Sequence, residues 1–232
     1  MTSPARAHFL RRSAQQQVPD SAEAQHHARL SAYEQQLAQL HDHRRRLKDA
    51  KALARKIELK RQFLPEYAAW IQGVLAGDHG AQDEVFITCL VWTMDVGDWT
   101  AALHMAEYAL RHGLVLPDHY KRDLATLVAE EVADAALKPG GLGVPLDSLI
   151  EAELLTKDHD LHDQVRAKLR KAIGFAFRER GEAASALEYL KQALSLFEQV
   201  GVKKDIERLE RELKSPPAGG KPDPVTGDSP AT

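Results

Sequence analysis

The chain has 232 residues, 44% of them hydrophobic and 6% aromatic, and this length suits one domain with appendages or two small domains. Its one cysteine, Cys89, excludes a disulfide framework or a cysteine-built zinc site within one chain, and its apolar neighbours predict a buried thiol. No apolar run approaches the ~20 residues of a transmembrane helix and no signal peptide begins the chain, so we expect a soluble intracellular protein without membrane contact.

The formal net charge of −3 conceals an asymmetry along the chain. Residues 1–62 hold 13 Lys/Arg and 6 Asp/Glu, a net of +7, whereas residues 63–232 hold 18 and 28, a net of −10. A basic front end on an acidic body favours a polyanionic partner for the front end. Attraction between the two parts of the chain is the alternative interpretation.

The basic front end divides into two segments. Residues 1–20 are polar and bounded by prolines, which predicts a flexible N-terminal segment. Residues 21–62 contain neither Gly nor Pro and are rich in good helix formers. We therefore predict a basic helical arm over 21–62 that binds DNA, self-associates, or does both.

Apolar residues at a 3-4-3 spacing begin a coiled-coil seam in this arm. They are Leu30, Tyr33, Leu37 and Leu40. The register then falters, because Arg44 and Lys51 occupy the next matching positions. An apolar stripe continues at a shifted phase through Leu47, Leu53, Ile57 and Leu64. The pattern fits a helix that packs on different partners along its length, and it also fits an oligomerisation arm.

Residues 63–213 read as a helical domain, because Leu and Ala dominate the apolar residues while Val and Ile are few. We predict that a helix begins at Pro65 and that others follow up to an internal break at Lys138–Pro145. The later predicted helices cover 146–156, 160–180, 182–199 and 203–213. The Pro/Gly-rich tail, 214–232, is predicted to be disordered. The fold class is all-α.

One pattern occurs twice. GDWTAALHMAEYAL, which starts at Gly97, returns as GEAASALEYLKQAL, which starts at Gly181, with small and apolar positions matched. In the second copy the preceding helix has a small residue, Gly174, where two helices must cross closely. This predicts helical hairpins packed in a tetratricopeptide-like manner, without the regular 34-residue period of a solenoid.

The sequence contains none of the common nucleotide-binding or catalytic motifs. The sequence has no phosphate-binding loop, no Gly-x-Ser-x-Gly elbow and no HExxH zinc motif, so ATP chemistry has to come from a partner. Nucleases gather carboxylates around Mg²⁺, and the available groups have no signature spacing. These groups are Glu130 with Asp134, Asp95 with Asp98, and Asp158, Asp160 and Asp163, beside His159 and His162. Solvated helix faces and a helix start account for them better, so no catalytic residue and no metal site is predicted.

The strongest local signal is a run of basic residues in the arm. Nine cations lie between residues 44 and 61, against the two acids Asp49 and Glu58. They are Arg44, Arg45, Arg46, Lys48, Lys51, Arg55, Lys56, Lys60 and Arg61. Spread over overlapping faces of a helix, they predict contact with a phosphate backbone, and aromatic residues for base stacking are absent. A solvated face that offsets the acidic body is the alternative.

Several blocks, in order, carry a resemblance to a known family. GAQDEVF, WTMDVGDWTAAL, AEYALRHGL, EEVAD, QVRAKLRKAIG and GVKKDIERLERELK make the chain similar, from about residue 30 to 214, to the small terminase subunit of temperate tailed phages. This is the branch called the terminase endonuclease subunit. The blocks are more specific than helix formation demands.

The resemblance implies a role in packaging phage DNA in the cytoplasm of the bacterial host. Such a subunit recognises the cohesive-end site on concatemeric double-stranded DNA, associates with the large ATPase subunit, and brings DNA to the procapsid portal, usually as a homo-oligomer. The name also implies an endonuclease. If this chain is the nuclease, we expect Mg²⁺ as its cofactor; otherwise we expect no cofactor in this chain alone. No catalytic residue is carried over from the family.

Two other classes of function stay open at this point. One is a non-catalytic tetratricopeptide-like adaptor, or a recognition subunit whose large partner makes the cut. The other is an autonomous metal-dependent nuclease. Salt-sensitive DNA binding and Mg²⁺-dependent cleavage by the purified chain discriminate between them.

Overall fold

The computed structural model describes residues 3–15, 23–118, 120–139 and 143–214, and these ranges contain α-helices, one 3₁₀ turn and no strand. The helices are α1 (Pro4–Gln15), α2 (Glu23–Asp49), α3 (Leu53–Gly77), α4 (Glu84–Val96), α5 (Trp99–Arg111), α6 (Leu124–Leu137), α7 (Leu146–Thr156), α8 (Asp163–Glu179), α9 (Ala183–Leu196) and α10 (Lys203–Lys214). The all-α prediction is confirmed. None of the helices in the described ranges is long and apolar enough to cross a membrane.

The core forms around α4, which lies against both α3 and α5. Every side chain from Val85 to Leu90 is buried, because a helix enclosed by neighbours has to be apolar all round. Asp83 caps the helix by accepting the backbone N–H of Phe86 at 2.9 Å, and it also accepts the indole N–H of Trp70 on α3 at 2.8 Å. Cys89 is fully buried as predicted, and this burial raises the pKa of its thiol well above its usual range.

The N-terminal segment differs from the prediction of a flexible segment over 1–20. Residues Pro4–Gln15 form α1, which packs along α3 and buries Leu10 and Ala14. A Cβ on Gly73 would lie 2.5 Å from the backbone oxygen of Arg11, so the two helices approach as closely as glycine allows. Sequence reasoning missed α1 because its buried face consists of only a few small and apolar residues.

The predicted arm is also not one continuous helix. It divides at residues 50–52, and α3 begins at Leu53 and continues past Pro65 to Gly77. The prediction that a helix starts at Pro65 is therefore wrong; Pro65 is exposed, and the helix tolerates the loss of one backbone hydrogen bond there. The division lets α2 and α3 fold against each other and both bury apolar side chains, which one straight helix does not allow.

The coiled-coil seam of α2 packs within the chain. The ring of Tyr33 stacks on Trp70 with the centroids 5.8 Å apart, and its hydroxyl accepts the backbone N–H of Glu84 at 3.2 Å. Leu40 is fully buried and Leu37 packs against the same core. The side chain of Leu30 lies outside the described residues.

The repeated sequence pattern corresponds to the same helix-to-helix turn. Gly97 and Gly181 have φ values of 81° and 79°, which favour glycine. Each donates its N–H to a carbonyl three residues earlier, at 2.9 and 3.0 Å, and the next residue bonds five residues back, at 3.2 and 3.0 Å. This pattern is the Schellman motif. The wider tetratricopeptide-like arrangement stays a prediction.

The C-terminal part contains a second, smaller apolar cluster between α8, α9 and α10. A Cβ on Gly174 would lie 2.7 Å from Leu190, which confirms the predicted close crossing of α8 and α9. The predicted helices over 146–156, 160–180, 182–199 and 203–213 match α7 to α10 within a few residues. The tail beyond Lys214, predicted to be disordered, lies outside the described residues.

Candidate nucleic-acid interface

The nine predicted DNA-binding cations lie at the closed end of a helical hairpin formed by α2 and α3. The two helices run antiparallel: the guanidinium of Arg46 lies 4.6 Å from the ring centre of Phe63, whereas Tyr33 lies near Trp70 at the other end. Residues 50–52 join them. The hairpin brings cations from the end of α2 and from the start of α3 to one place.

Four of the nine cations have structural partners: three of them tie the hairpin to the rest of the protein, and the fourth joins α2 to α3 within it. Arg44 forms an ion pair with Glu84 and donates to the hydroxyl of Thr88 at 2.7 Å, and both acceptors belong to α4. Lys60 pairs with Asp95 at 2.5 Å, and Arg61 donates to the carbonyl of Val96 at 3.3 Å. Arg46 lies over the ring of Phe63. A side chain with such a partner has less freedom to leave it for a phosphate.

The other five cations are free or paired only at the surface, and we call them the tip cations. They are Arg45, Lys48, Lys51, Arg55 and Lys56. Arg45 pairs with Asp42 three residues before it, and its side chain is 74% exposed. The side chains of the other four have no ion pair or hydrogen bond to any residue in the described part of the chain, and all except the half-buried Lys56 are exposed.

The electrostatics of the tip favour an anion. Residues 45–56 contain six Lys/Arg and one acid, Asp49, a net charge of +5. The N-terminus of α3 adds to this, because Ala52 supplies no side-chain cap and leaves the N–H groups of the first turn open. Backbone N–H groups at a helix start are suited to a phosphate oxygen. Residues 45–58 contain no aromatic side chain, so the tip can bind phosphates but cannot stack on bases.

Most of the candidate nuclease carboxylates are engaged in structural contacts. Glu130 and Glu131 both pair with Arg122, and burial raises the pKa of Glu131, with Arg122 opposing this effect. Asp134 pairs with Lys168. Asp95 belongs to the Lys60 pair described above, and Asp98 caps α5 by accepting the N–H of Ala101 at 3.2 Å.

The remaining acidic and histidine groups do not form a metal site either. Asp163 lies in the first turn of α8, where the helix dipole favours a carboxylate, but the capping residue is His162 and makes no side-chain hydrogen bond. His41 is exposed and His43 is buried, so these two face different ways as predicted. Within the described ranges, no three His, Cys, Asp or Glu side chains group to hold a metal ion.

Sequence reasoning found the run of nine cations but missed the hairpin and the division of the cations within it. One signal pointed to it: Arg44 interrupts the seam that begins at Tyr33, and the structure shows that it does so because it pairs with Glu84 across the helix interface. The second anchor, Lys60, gave no such signal. Its partner, Asp95, is 35 residues away in sequence.

Comparisons with known proteins bear on this hairpin. The family model described as the phage small terminase subunit matches residues 37–164, a range that includes all nine cations. The chain is 42% identical to the terminase, endonuclease subunit of Escherichia phage P2 over 219 residues, which cover 94% of this chain and 88% of that protein. It is 26% identical to the probable terminase, endonuclease subunit of Haemophilus phage HP1 over 180 residues, 70% of this chain and 63% of that protein. No solved structure matches the chain.

Proposed function

Because the chain belongs to the phage small terminase subunit family, we propose that it recognises the cohesive-end site on phage DNA and works with the large terminase subunit to cut and package that DNA. The observation that carries this proposal is the cluster of tip cations at the end of the α2–α3 hairpin. A family role in DNA packaging requires a surface for double-stranded DNA. The tip is the part of the described chain where cations without a buried partner concentrate.

The proposed contact is made with the phosphate backbone. Five tip cations that neutralise five phosphates give a slope of roughly −4 to −5 in log K against log salt. The four anchored cations position the hairpin and do not contribute to this slope. On this proposal the tip positions the DNA through its phosphates, and sequence preference comes from DNA shape or from contacts of a second surface with base edges.

The large subunit supplies the ATP chemistry in this proposal. The sequence has no phosphate-binding loop. Residues 63–232 have a net charge of −10, which repels DNA and leaves the surface of this part of the chain free for a protein partner. We further propose that the subunit acts as a homo-oligomer in the host cytoplasm, where packaging takes place.

The names of the relatives assign DNA cleavage to this subunit, and we propose that the chain takes part in the cut. A nuclease of this kind uses Mg²⁺ held by carboxylates. Among the candidate carboxylates, Glu130, Asp134 and Asp95 are paired with Arg122, Lys168 and Lys60, and Asp98 is used as a helix cap. No three His, Cys, Asp or Glu side chains of the described residues group to hold a metal ion. No step of the cut is therefore assigned to a residue of this chain.

The experiment that tests the proposed function uses the full chain and DNA that carries the cohesive-end site. Gel retardation over a salt series measures binding, and nicking is followed in the same samples with and without Mg²⁺. Unlabelled DNA of the same length without the site serves as competitor. Preferential, salt-sensitive retention of the cohesive-end DNA supports the proposal, and equal competition by both DNAs contradicts site recognition.

A further inference from the structure

The long helix α3 has two apolar stripes, one buried in the core and the other only partly buried or exposed. Side chains of the first stripe, which include Phe63, Tyr67 and Trp70, are buried. The second stripe follows spacings of four, three, four, three and four residues, which is the heptad pattern of a coiled-coil seam. It consists of Ile57, Arg61, Leu64, Ala68, Ile71 and Leu75.

The part of this second stripe from Arg61 to Leu75 forms one wall of an open groove. The end of α4 and one side of α5 form the other wall, with Val96, Ala101 and Met105, and the groove has a volume of about 420 Å³. Ala68 is exposed and Leu64 only half-buried. The apolar surface continues beyond the groove, since Leu53 at the start of α3 is 63% exposed. A groove lined in this way gives a helix of another chain an apolar surface to pack against beside α3.

We propose that the groove binds α3 of a second copy of this chain, with the two helices antiparallel. This inference rests on the self-association in the proposed function and adds the surface that carries it. A two-fold pair requires a self-complementary stripe, in which residue i meets residue j and j meets i.

The antiparallel register gives such a match. With the two-fold axis midway between Leu64 and Ala68, each Leu64 faces the small Ala68 of the other copy. In the same register Ile57 faces Leu75, and Arg61 faces Ile71. Large residues thus meet small ones at the centre and apolar residues meet each other at the ends.

Charge selects the antiparallel direction over the parallel one. Arg61 is the only charged residue of the stripe, and a parallel pair in register would place two Arg61 side chains together. A parallel pair would also bring the two hairpin tips together, each with a net charge of +5 over residues 45–56. In the antiparallel pair the tips lie at opposite ends, about 40 Å apart at 1.5 Å per residue. This distance is a little more than one turn of duplex DNA, roughly 34–36 Å.

The size of the contact sets the expected strength. A stripe from Ile57 to Leu75 is about 27 Å long and contributes six residues, whereas each side of a stable interface contributes roughly 20–30. Stable pairs bury about 800 Å² per partner. We therefore expect a dissociation constant in the micromolar range for this contact alone.

Sedimentation velocity of the full chain, without DNA, tests the inference independently of DNA binding. The variant Ala68→Glu places a charge in the middle of the groove at an exposed position, and Ala76→Glu makes the same change at an exposed position of the same helix outside the stripe. We expect the wild type and Ala76→Glu to associate above about 10 μM, and Ala68→Glu to associate at least 10-fold more weakly. A wild type that is monomeric at 100 μM, or association that Ala68→Glu leaves unchanged, would overturn the inference.

Cysteine cross-linking tests the direction of the pair. Cys89 is fully buried, so only the introduced cysteines can form a disulfide between two chains. In the antiparallel register, chains with Leu64→Cys and chains with Ala68→Cys form a disulfide when mixed, because these two positions face each other. Each variant alone pairs slowly, since its own two cysteines are about 10 Å apart, beyond the reach of a disulfide. Fast pairing of Leu64→Cys with itself would overturn the antiparallel arrangement.

Discussion

Arg44 and Glu84 form an ion pair that ties α2 to the start of α4, and the same guanidinium donates to Thr88 one turn further along. The side chain of Arg44 is 27% exposed, whereas that of the adjacent Arg45 is 74% exposed and meets only Asp42. Two consecutive arginines therefore have different roles, one in holding the hairpin to the body and one in presenting charge to solvent.

This difference predicts that two single substitutions affect different properties, one the free energy of unfolding and the other DNA binding. Arg44→Ala should lower the free energy of unfolding by about 1–3 kcal/mol, because it leaves Glu84 and Thr88 without a charged partner. Arg45→Ala should change stability by less than about 0.5 kcal/mol, as exposed pairs do, but should weaken DNA binding. Urea denaturation and gel retardation of both variants measure the two effects. Equal loss of stability in both variants would contradict the assignment of Arg44 as the anchor.

The same difference bears on a triple change of Arg44, Arg45 and Arg46 to Ala. Arg44 holds α2 to α4, and Arg46 covers the ring of Phe63 at 4.6 Å. Loss of DNA binding in that variant would therefore combine a lost contact with a displaced hairpin. Variants of the tip cations avoid this.

A buried histidine makes the hairpin sensitive to acid. Nδ1 of His43 lies 2.8 Å from the hydroxyl of Tyr67, and its ring stacks on Phe63 with the centroids 3.8 Å apart. Burial lowers the pKa of His43, and the carboxylate of Glu66 opposes this shift only in part. Burial raises the pKa of Tyr67, so its hydroxyl stays protonated beside the imidazole.

The sign of the pH effect follows from the lowered pKa of His43. The unfolded chain binds a proton near pH 6.5, the ordinary imidazole value, whereas the folded chain binds it only at lower pH. The contribution of neutral His43 to the free energy of unfolding is thus fully present above about pH 6.5. It is lost as the pH decreases from there through the lower pKa of the folded chain. Replacing His43 with Asn, which keeps a short polar side chain, should make the free energy of unfolding less dependent on pH between 7.5 and 5. Parallel slopes for wild type and variant in urea titrations would contradict this origin.

The contact of α1 with α3 predicts an unusual effect of a glycine substitution. Gly→Ala within a helix normally stabilises by roughly 0.5–1 kcal/mol. At Gly73 the added Cβ would lie 2.5 Å from the backbone oxygen of Arg11 and 2.7 Å from Ala14, so Gly73→Ala should destabilise and should release α1. Faster tryptic cleavage after Arg11 and Arg12, with an unchanged core, is the expected result. A more stable variant with a protected α1 would show that the two helices do not meet here.

Local sequence signals predicted some parts of this structure and could not predict others. The helices from α7 to α10 were predicted nearly to their ends, because helical periodicity and the glycine turn at Gly181 are local features. The turn at Gly97 was found for the same reason. In contrast, α1 was missed because its stability comes from the glycine-lined surface of α3 more than 50 residues away in sequence.

The candidate interface shows the same limit. The charge run predicted where cations concentrate, because net charge is a sum over neighbouring residues. It did not predict which cations are available, since Arg44 and Lys60 are held by Glu84 and Asp95, 40 and 35 residues away. The sequence indicated the second stripe of α3 only in part, through Leu53, Ile57 and Leu64. Which face of this helix remains exposed depends on where α2 and α4 pack.

The salt dependence of DNA binding tests the central claim most directly. Equilibrium binding to duplex DNA is measured between 50 and 200 mM salt for the wild type and for a variant with Lys48, Lys51, Arg55 and Lys56 changed to Ala. A control variant removes four exposed lysines elsewhere, Lys121, Lys138, Lys157 and Lys204. If the tip is the phosphate-binding surface, the slope of log K against log salt becomes shallower by about 3 to 4 in the first variant. The slope stays unchanged in the control. An unchanged slope in the first variant, or an equal loss in the control, would contradict it.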